Sequence, residues 1–201
     1  FIAIGGYSAA YISKILVNYN LPPVLQLVLV SLFGGVIAAL FGFFVGASTL
    51  RLRGDYLAII TLAFGEIVKY IVQNLDFLGG ATGLNNIPRI IDFSNSYFIV
   101  VISIVIIAMA MTSRKGKEIL SIREDEIAAE NIGMRLSRIK LYGFAFSAFF
   151  AGVGGSLFAH NIGILKPDKF GFLFSIEILV MVVLGGLGSI TGAIISAILL
   201  T

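Results

Sequence analysis

Between Val24 and Leu50 the chain carries no charged residue. A helix of that length, at about 1.5 Å per residue, exceeds the roughly 30 Å hydrocarbon core of a bilayer. Backbone N–H and C=O groups in lipid must be satisfied within the segment, so a helix is the form such a run takes. Four further apolar runs read the same way: Phe1 to Tyr19, Tyr97 to Thr112, Leu141 to His160 and Ser175 to Thr201. In the first, Gly5, Gly6, Ser8, Ala9 and Ala10 predict close helix packing; in the third, Gly152, Gly154, Gly155 and Ser156 predict a small-residue seam. The second is near the lower length limit for a span. Gly185–Ser189 and Gly192 interrupt the last, so one span and two half-helices both fit. Composition agrees: 58% hydrophobic and 12% charged residues, with mean hydropathy +1.02, against roughly 45–50% apolar and 25% charged in soluble domains. The expected fold class is all-α, a polytopic transmembrane helical bundle forming a single domain over residues 1–201. Both ends fall inside apolar runs, and further membrane helices are expected beyond each.

Between these runs the sequence changes character. Asn20-Leu21-Pro22-Pro23 breaks the first run from the second, and Arg51-Leu52-Arg53-Gly54 stops the second. Asp55 to Asn74 is membrane-grade yet holds Glu66 and Lys69, three apart and hence on one helical face. Ionisable groups at membrane depth are costly unless paired or wetted, which makes them functional candidates. Glu66 and Lys69, with Thr61 and Asn74, are candidates to line or gate a pathway; a structural ion pair that orients the helix fits equally well. Leu75 to Ser96 and Asn161 to Phe174 carry Gly, Asn and Pro at loop densities.

The long hydrophilic stretch Ser113 to Lys140 stands apart. If it shares one side of the membrane with Arg51 and Arg53, nine of the 14 basic residues lie there: Arg51, Arg53, Arg114, Lys115, Lys117, Arg123, Arg135, Arg138 and Lys140. By the positive-inside rule that side is the cytoplasm. Ser121-Ile-Arg-Glu124 fits a capping box, Glu124, Asp125 and Glu126 suit a first helical turn, and Gly133 suits a helix end. Ala128, Ala129 and Ile132 give such a helix a small apolar face, suited to docking in a partner's groove.

The blocks RLRGDYLAIITLAFGEIVKYIVQN, TGLNNIP, IREDEIAAENIGMRLSRIKLYGFAFSAFFAGVGGSLFAH and FSIEILVMVVLGGLGSITGA resemble, in order and over nearly the whole chain, the LivM-like permease subunits of bacterial branched-chain amino acid ABC transporters. The resemblance implies a multi-pass protein of the bacterial cytoplasmic (inner) membrane that forms the pathway for leucine, isoleucine and valine. It implies as partners a second homologous permease, two cytoplasmic ABC ATPase subunits and a periplasmic or extracellular substrate-binding protein, besides membrane lipid. It also assigns residues 113–140 as a cytoplasmic coupling loop, with Arg123, Glu124, Asp125, Glu126, Ala128, Ala129 and Gly133 as the residues coupled to the ATPase. The broader importer signature, Glu-Ala-Ala, three residues, then Gly, falls here on Ile127-Ala128-Ala129 and Gly133, with the acid displaced to Glu126. Related permeases also carry urea or short amides.

Other chemistries find little support. The absence of cysteine removes disulfides, thiolate metal sites and a Cys nucleophile. No GxxxxGK[ST] motif occurs, so ATP and Mg2+ belong to the partner subunits, and no cofactor or nucleic acid is expected on this chain. Gly186 to Thr191 imitates a dinucleotide fingerprint without the βαβ context it needs. His160, the single histidine, reads as a cap or interface residue rather than a metal ligand. An ATP-independent secondary transporter is a rival reading, but no internal repeat with paired broken helices is evident.

Overall fold

The structure is a computed structural model and describes residues 1–17, 22–49 and 55–201. The Asn20-Leu21 break and the basic residues Arg51 and Arg53 lie outside the described residues. Nine helices follow in order among those described: α1 (Ile2–Leu16), α2 (Pro23–Thr49), α3 (Asp55–Asn74), α4 (Phe93–Thr112), α5 (Arg114–Glu124), α6 (Glu126–Asn131), α7 (Leu136–Ile162), α8 (Phe172–Leu184) and α9 (Ile190–Leu200). No strand occurs among the described residues, only an isolated bridge between Leu84 and Leu165. The all-α expectation holds. Among the described residues α2, α4 and α7 are the helices long and apolar enough to cross a membrane, while α1, α8 and α9 are shorter apolar helices.

The centre of the fold is the packing of α1, α2 and α7, and small residues make it possible. A Cβ built on Gly5 would stand 2.3 Å from Gly152 Cα, and one built on Gly152 would stand 2.5 Å from Ala38 Cβ and 2.7 Å from the Gly34 carbonyl. Helices in lipid gain no hydrophobic drive from one another, so close backbone approach and dispersion hold them together. Gly154, placed by its sequence spacing in the same seam, faces away and has nothing within 4 Å of its Cβ position. Polar side chains thread the same junction. Ser156 and Ser31 hydroxyls meet at 2.9 Å, and Gln26 Nε2 donates to the Ser13 carbonyl at 3.4 Å. His160 Nδ1 lies 2.7 Å from the Ser156 carbonyl, one turn back on its own helix. A carbonyl only accepts, so Nδ1 carries the proton. His160 is thus a fully buried residue of the helix interface.

Where α7 ends, the two loops knit into a cap. Leu84 and Leu165 exchange backbone hydrogen bonds of 2.8 and 3.0 Å, and Tyr7 Oη donates to the Leu165 carbonyl at 2.9 Å. Beneath them Tyr7, Val72, Leu78, Leu84, Ile87 and Phe170 form an apolar cluster.

Two boundaries differ from those expected. The span expected from Tyr97 begins at Phe93, because Asp92 accepts from the Phe93 N–H at 3.0 Å and so starts the helix earlier. That extends α4 to 20 residues, enough to span. No residue of α4 is buried. The last apolar run resolves into two half-helices, α8 of 13 residues and α9 of 11. They double back on each other, with Gly185 packed on Gly192 and Ser196 Oγ bonded to the Met181 carbonyl. Each is well under the length of a span.

Candidate functional site

Two places hold the residues singled out in the sequence. At the capped end, α3 presents a polar stripe to the turn before α8. Glu66 Oε1 accepts from the Phe172 N–H at 2.7 Å and so satisfies one of the free donors at the start of α8. Lys69 Nζ lies 3.7 Å from Glu66 Oε2, and Gln73 Nε2 donates to Asp168 Oδ1 at 2.7 Å. Glu66, Lys69 and Gln73 therefore fix the Pro167–Phe170 turn and α8 against α3. The other two candidates do not join them. Asn74 is exposed and bonds back to the Tyr70 carbonyl at 2.8 Å, and Thr61 is half-buried more than a turn earlier. Gln73 and Asp168 were not among the expected residues, although the spacing of Gln73 at i+7 from Glu66 puts it on the same face.

At the other end of α7, the hydrophilic stretch folds as a small tied unit. Ser113 caps α5, its side chain accepting from the Gly116 N–H at 3.2 Å. Ser121 does not start a helix: it lies inside α5, with Oγ bonded to the Glu118 carbonyl at 2.9 Å. The break comes at Asp125, which is extended at φ −150° and ψ 107°, and whose Oδ1 accepts from both Ile127 and Ala128 N–H at 2.9 Å. The expected single helix from Ser121 to Gly133 is therefore two. An Asp that can take two amide donors outcompetes the Ser-x-x-Glu pattern that begins at Ser121.

The C-terminal end of α6 is as expected. Gly133, at φ +88°, donates to the Glu130 carbonyl, and Met134 N–H reaches Ala129, a Schellman arrangement that favours glycine. Replacing Asp125 by alanine is expected to cost about 1 kcal/mol of local stability. Hydrogen exchange at the Ile127 and Ala128 amides should then quicken about fivefold, while Asp125→Asn stays near the parent rate.

Side chains divide by face. Ala129 turns inward and packs with Ile122 and Ile139, 2% exposed, so it is not part of the outer face assigned to it from the sequence. Lys140 Nζ, on α7, lies 2.6 Å from Glu126 Oε1 and ties α6 to that helix. Left outward are Ala128 and two large aliphatics, Ile127 at 73% and Ile132 at 77% exposure. Glu124 is exposed beside them. Arg123 points the other way: its Nη2 donates to the Leu187 carbonyl at 3.2 Å, in the turn between α8 and α9. Gly188, at φ +91°, lies so close that a Cβ there would overlap the guanidinium. The stretch thus has an apolar outer face and a cationic arm on the half-helix pair.

Among the described residues no cluster of three or more His, Cys, Asp or Glu side chains is arranged to hold a metal.

Comparison with known proteins places this architecture. A family model described as branched-chain amino acid transport system / permease component matches residues 1–201. The chain is 37% identical to the high-affinity branched-chain amino acid transport system permease protein LivM of Salmonella typhimurium, over 83% of this chain and 47% of that protein. It is 38% identical to LivM of Escherichia coli K12 over the same shares. The permease LivH of Escherichia coli K12 is 33% identical over 44% of this chain and 28% of that protein. The chain spans about half the length of the LivM relatives it matches. No solved structure gives a significant match. Its helices, its small-residue seam and the match along its whole length make this chain a member of the permease-component family of the branched-chain amino acid transport system.

Proposed function

We propose that the chain is a pathway-forming permease subunit of an ATP-driven importer for branched-chain amino acids in the bacterial inner membrane. It pairs with a second permease, one of two cytoplasmic ATPases docks on α6 and the other on the second permease, and a binding protein delivers cargo from outside. The observation that carries the reading is α6: a six-residue helix capped at both ends and tied inward through Ala129 and Glu126, yet presenting Ile127 and Ile132 to the outside. Exposed aliphatics on a held helix suit a groove in a partner protein. The LivM relatives supply the cargo class and the LivH relative the second permease.

In this reading a displacement of α6 by the ATPases reaches the membrane by two routes. One runs through Glu126–Lys140 and the Ile122–Ala129–Ile139 cluster into α7. The other runs through Arg123 into the α8–α9 turn. Each is a contact between packed elements, the kind through which interface shifts are transmitted. Glu66 and Lys69, engaged in positioning α8, govern where that helix pair sits rather than binding cargo themselves.

The chain carries no cysteine, so single cysteines between Arg123 and Gly133 in the full-length permease give a clean test in native membranes. Cysteines at Ile127, Ala128 and Ile132 should crosslink to a nucleotide-binding subunit and change with ATP, while Ala129→Cys should not. Absence of any crosslink at exposed positions, together with uptake that survives removal of every cytoplasmic ATPase, would sink the proposal.

A further inference from the structure

From two adjoining cavities we infer a binding site for an anionic phospholipid between α4, α5 and the start of α7. The first cavity, about 700 Å3, is lined by Lys115, Glu118, Arg135, Arg138 and Tyr142. Lys115 is neutralised by Glu118 at 2.9 Å. The Arg135 and Arg138 side chains make no hydrogen bond or ion pair among the described residues, so the side chains lining the cavity carry a net charge of +2. Two guanidinium groups close in sequence, without carboxylate partners, match the fork geometry of a phosphate diester.

The second cavity, about 560 Å3, is apolar and includes Ile107, Met111, Phe146 and Phe150 among its lining. Ile139 lines both cavities, so the apolar one adjoins the basic one at that residue. Along α7 the lining runs from Ile139 to Phe150, a depth of about 16 Å. That is the thickness of one leaflet of the hydrocarbon core, about 15 Å.

A soluble anion would use the cationic mouth and leave the apolar channel without purpose. A protein partner would not need a channel of leaflet depth beneath its charge. A phospholipid uses both: the headgroup phosphate on Arg135 and Arg138, one acyl chain along α7. Basic pockets between membrane helices at the cytoplasmic side are where anionic lipids bind. The site adjoins α6 through Ile122, Ile139 and Lys140, and its test reads lipid binding and does not depend on transport.

Full-length permease, delipidated in detergent, would be mixed with phosphatidylglycerol or with phosphatidylcholine of the same acyl chains, and bound lipid counted by native mass spectrometry. Phosphatidylglycerol should be retained over phosphatidylcholine. R135Q/R138Q should weaken its binding about thirtyfold, given the contribution of each basic residue near an anionic headgroup, and R135K/R138K, which keeps the charge and loses the fork, should fall between it and the parent. Ser147→Trp, which fills the apolar channel, should also release it. Equal retention of the two lipids, or a phosphatidylglycerol preference unchanged in R135Q/R138Q, would overturn the site. Displacement by inorganic phosphate with no effect of Ser147→Trp would make it a soluble-anion site instead. Loss of ATPase co-purification in R135Q/R138Q with lipid binding intact would make it a protein contact.

Discussion

Gly152→Leu is expected to prevent assembly of the helix core. The added Cβ alone would lie 2.5 Å from Ala38 Cβ and 2.7 Å from the Gly34 carbonyl oxygen, with Gly5 pressed on the same spot. Neither a backbone carbonyl nor a helix axis can turn away as a long side chain can. α1, α2 and α7 would have to separate, losing dispersion contacts along the seam that no hydrophobic effect replaces in lipid. The cost should exceed the usual 1–3 kcal/mol of overpacking. It should appear as a collapse of folded protein on size-exclusion chromatography and a large fall in melting temperature in detergent. Gly154→Leu is the control. It is two residues away on the same helix, with open space at its Cβ position, and should melt close to the parent. If Gly152→Leu melts like Gly154→Leu, the seam does not hold the core.

Arg123→Ala is expected to separate ATP hydrolysis from uptake. Its guanidinium donates to the Leu187 carbonyl in the α8–α9 turn rather than standing with Ile127 on the outer face of α6. Its loss should therefore leave ATPase docking intact while freeing the α8–α9 turn. A coupling contact of this kind is worth about 5- to 150-fold, and transport should fall within that range at near-parental ATPase co-purification. Gly188→Val should do the same, because its Cβ would occupy the guanidinium's place and its φ of +91° disfavours a branched side chain. The double variant should be no worse than the more severe single one, since both remove one contact. Joint loss of ATPase binding and transport in Arg123→Ala would make Arg123 a docking residue instead.

Local signals in the sequence translated well into structure where a single cause decides the outcome. Val24 to Leu50 has no charge to pull it from lipid, and α2 runs Pro23–Thr49. Asp55 to Asn74 is bounded as α3 is. Gly133 had to end a helix, since Met134 bonds across it to Ala129. Misreadings came where two signals compete within a few residues. Ser121 and Asp125 both resemble caps, and Asp125 takes two amides. Ala128 and Ala129 are indistinguishable by composition, yet only Ala129 meets Ile122 and Ile139.

Contacts between distant segments could not be read at all. Gln73 finds Asp168 across 95 residues and Arg123 finds Leu187 across 64. Both depend on how α3, α5 and the half-helices are stacked by the core, which no local pattern encodes. The hydrophilic stretch was therefore legible as a unit, and the contact of Arg123 with Leu187 was not.

The two ends of α7 are held very differently. Its C-terminal half is clasped by the glycine seam and by the backbone exchange between Leu84 and Leu165, while its first turns are held by one ion pair and a few aliphatics. Such a helix has the form of a lever with its fulcrum at Ala148, where Gly42 of α2 packs against it. The arm from Leu136 to Ala148 is about 18 Å long, so a push of about 2 Å on its tip swings it by about 6°. Stiffness at the fulcrum, not strength at the tip, then fixes how much of each push the membrane interior receives.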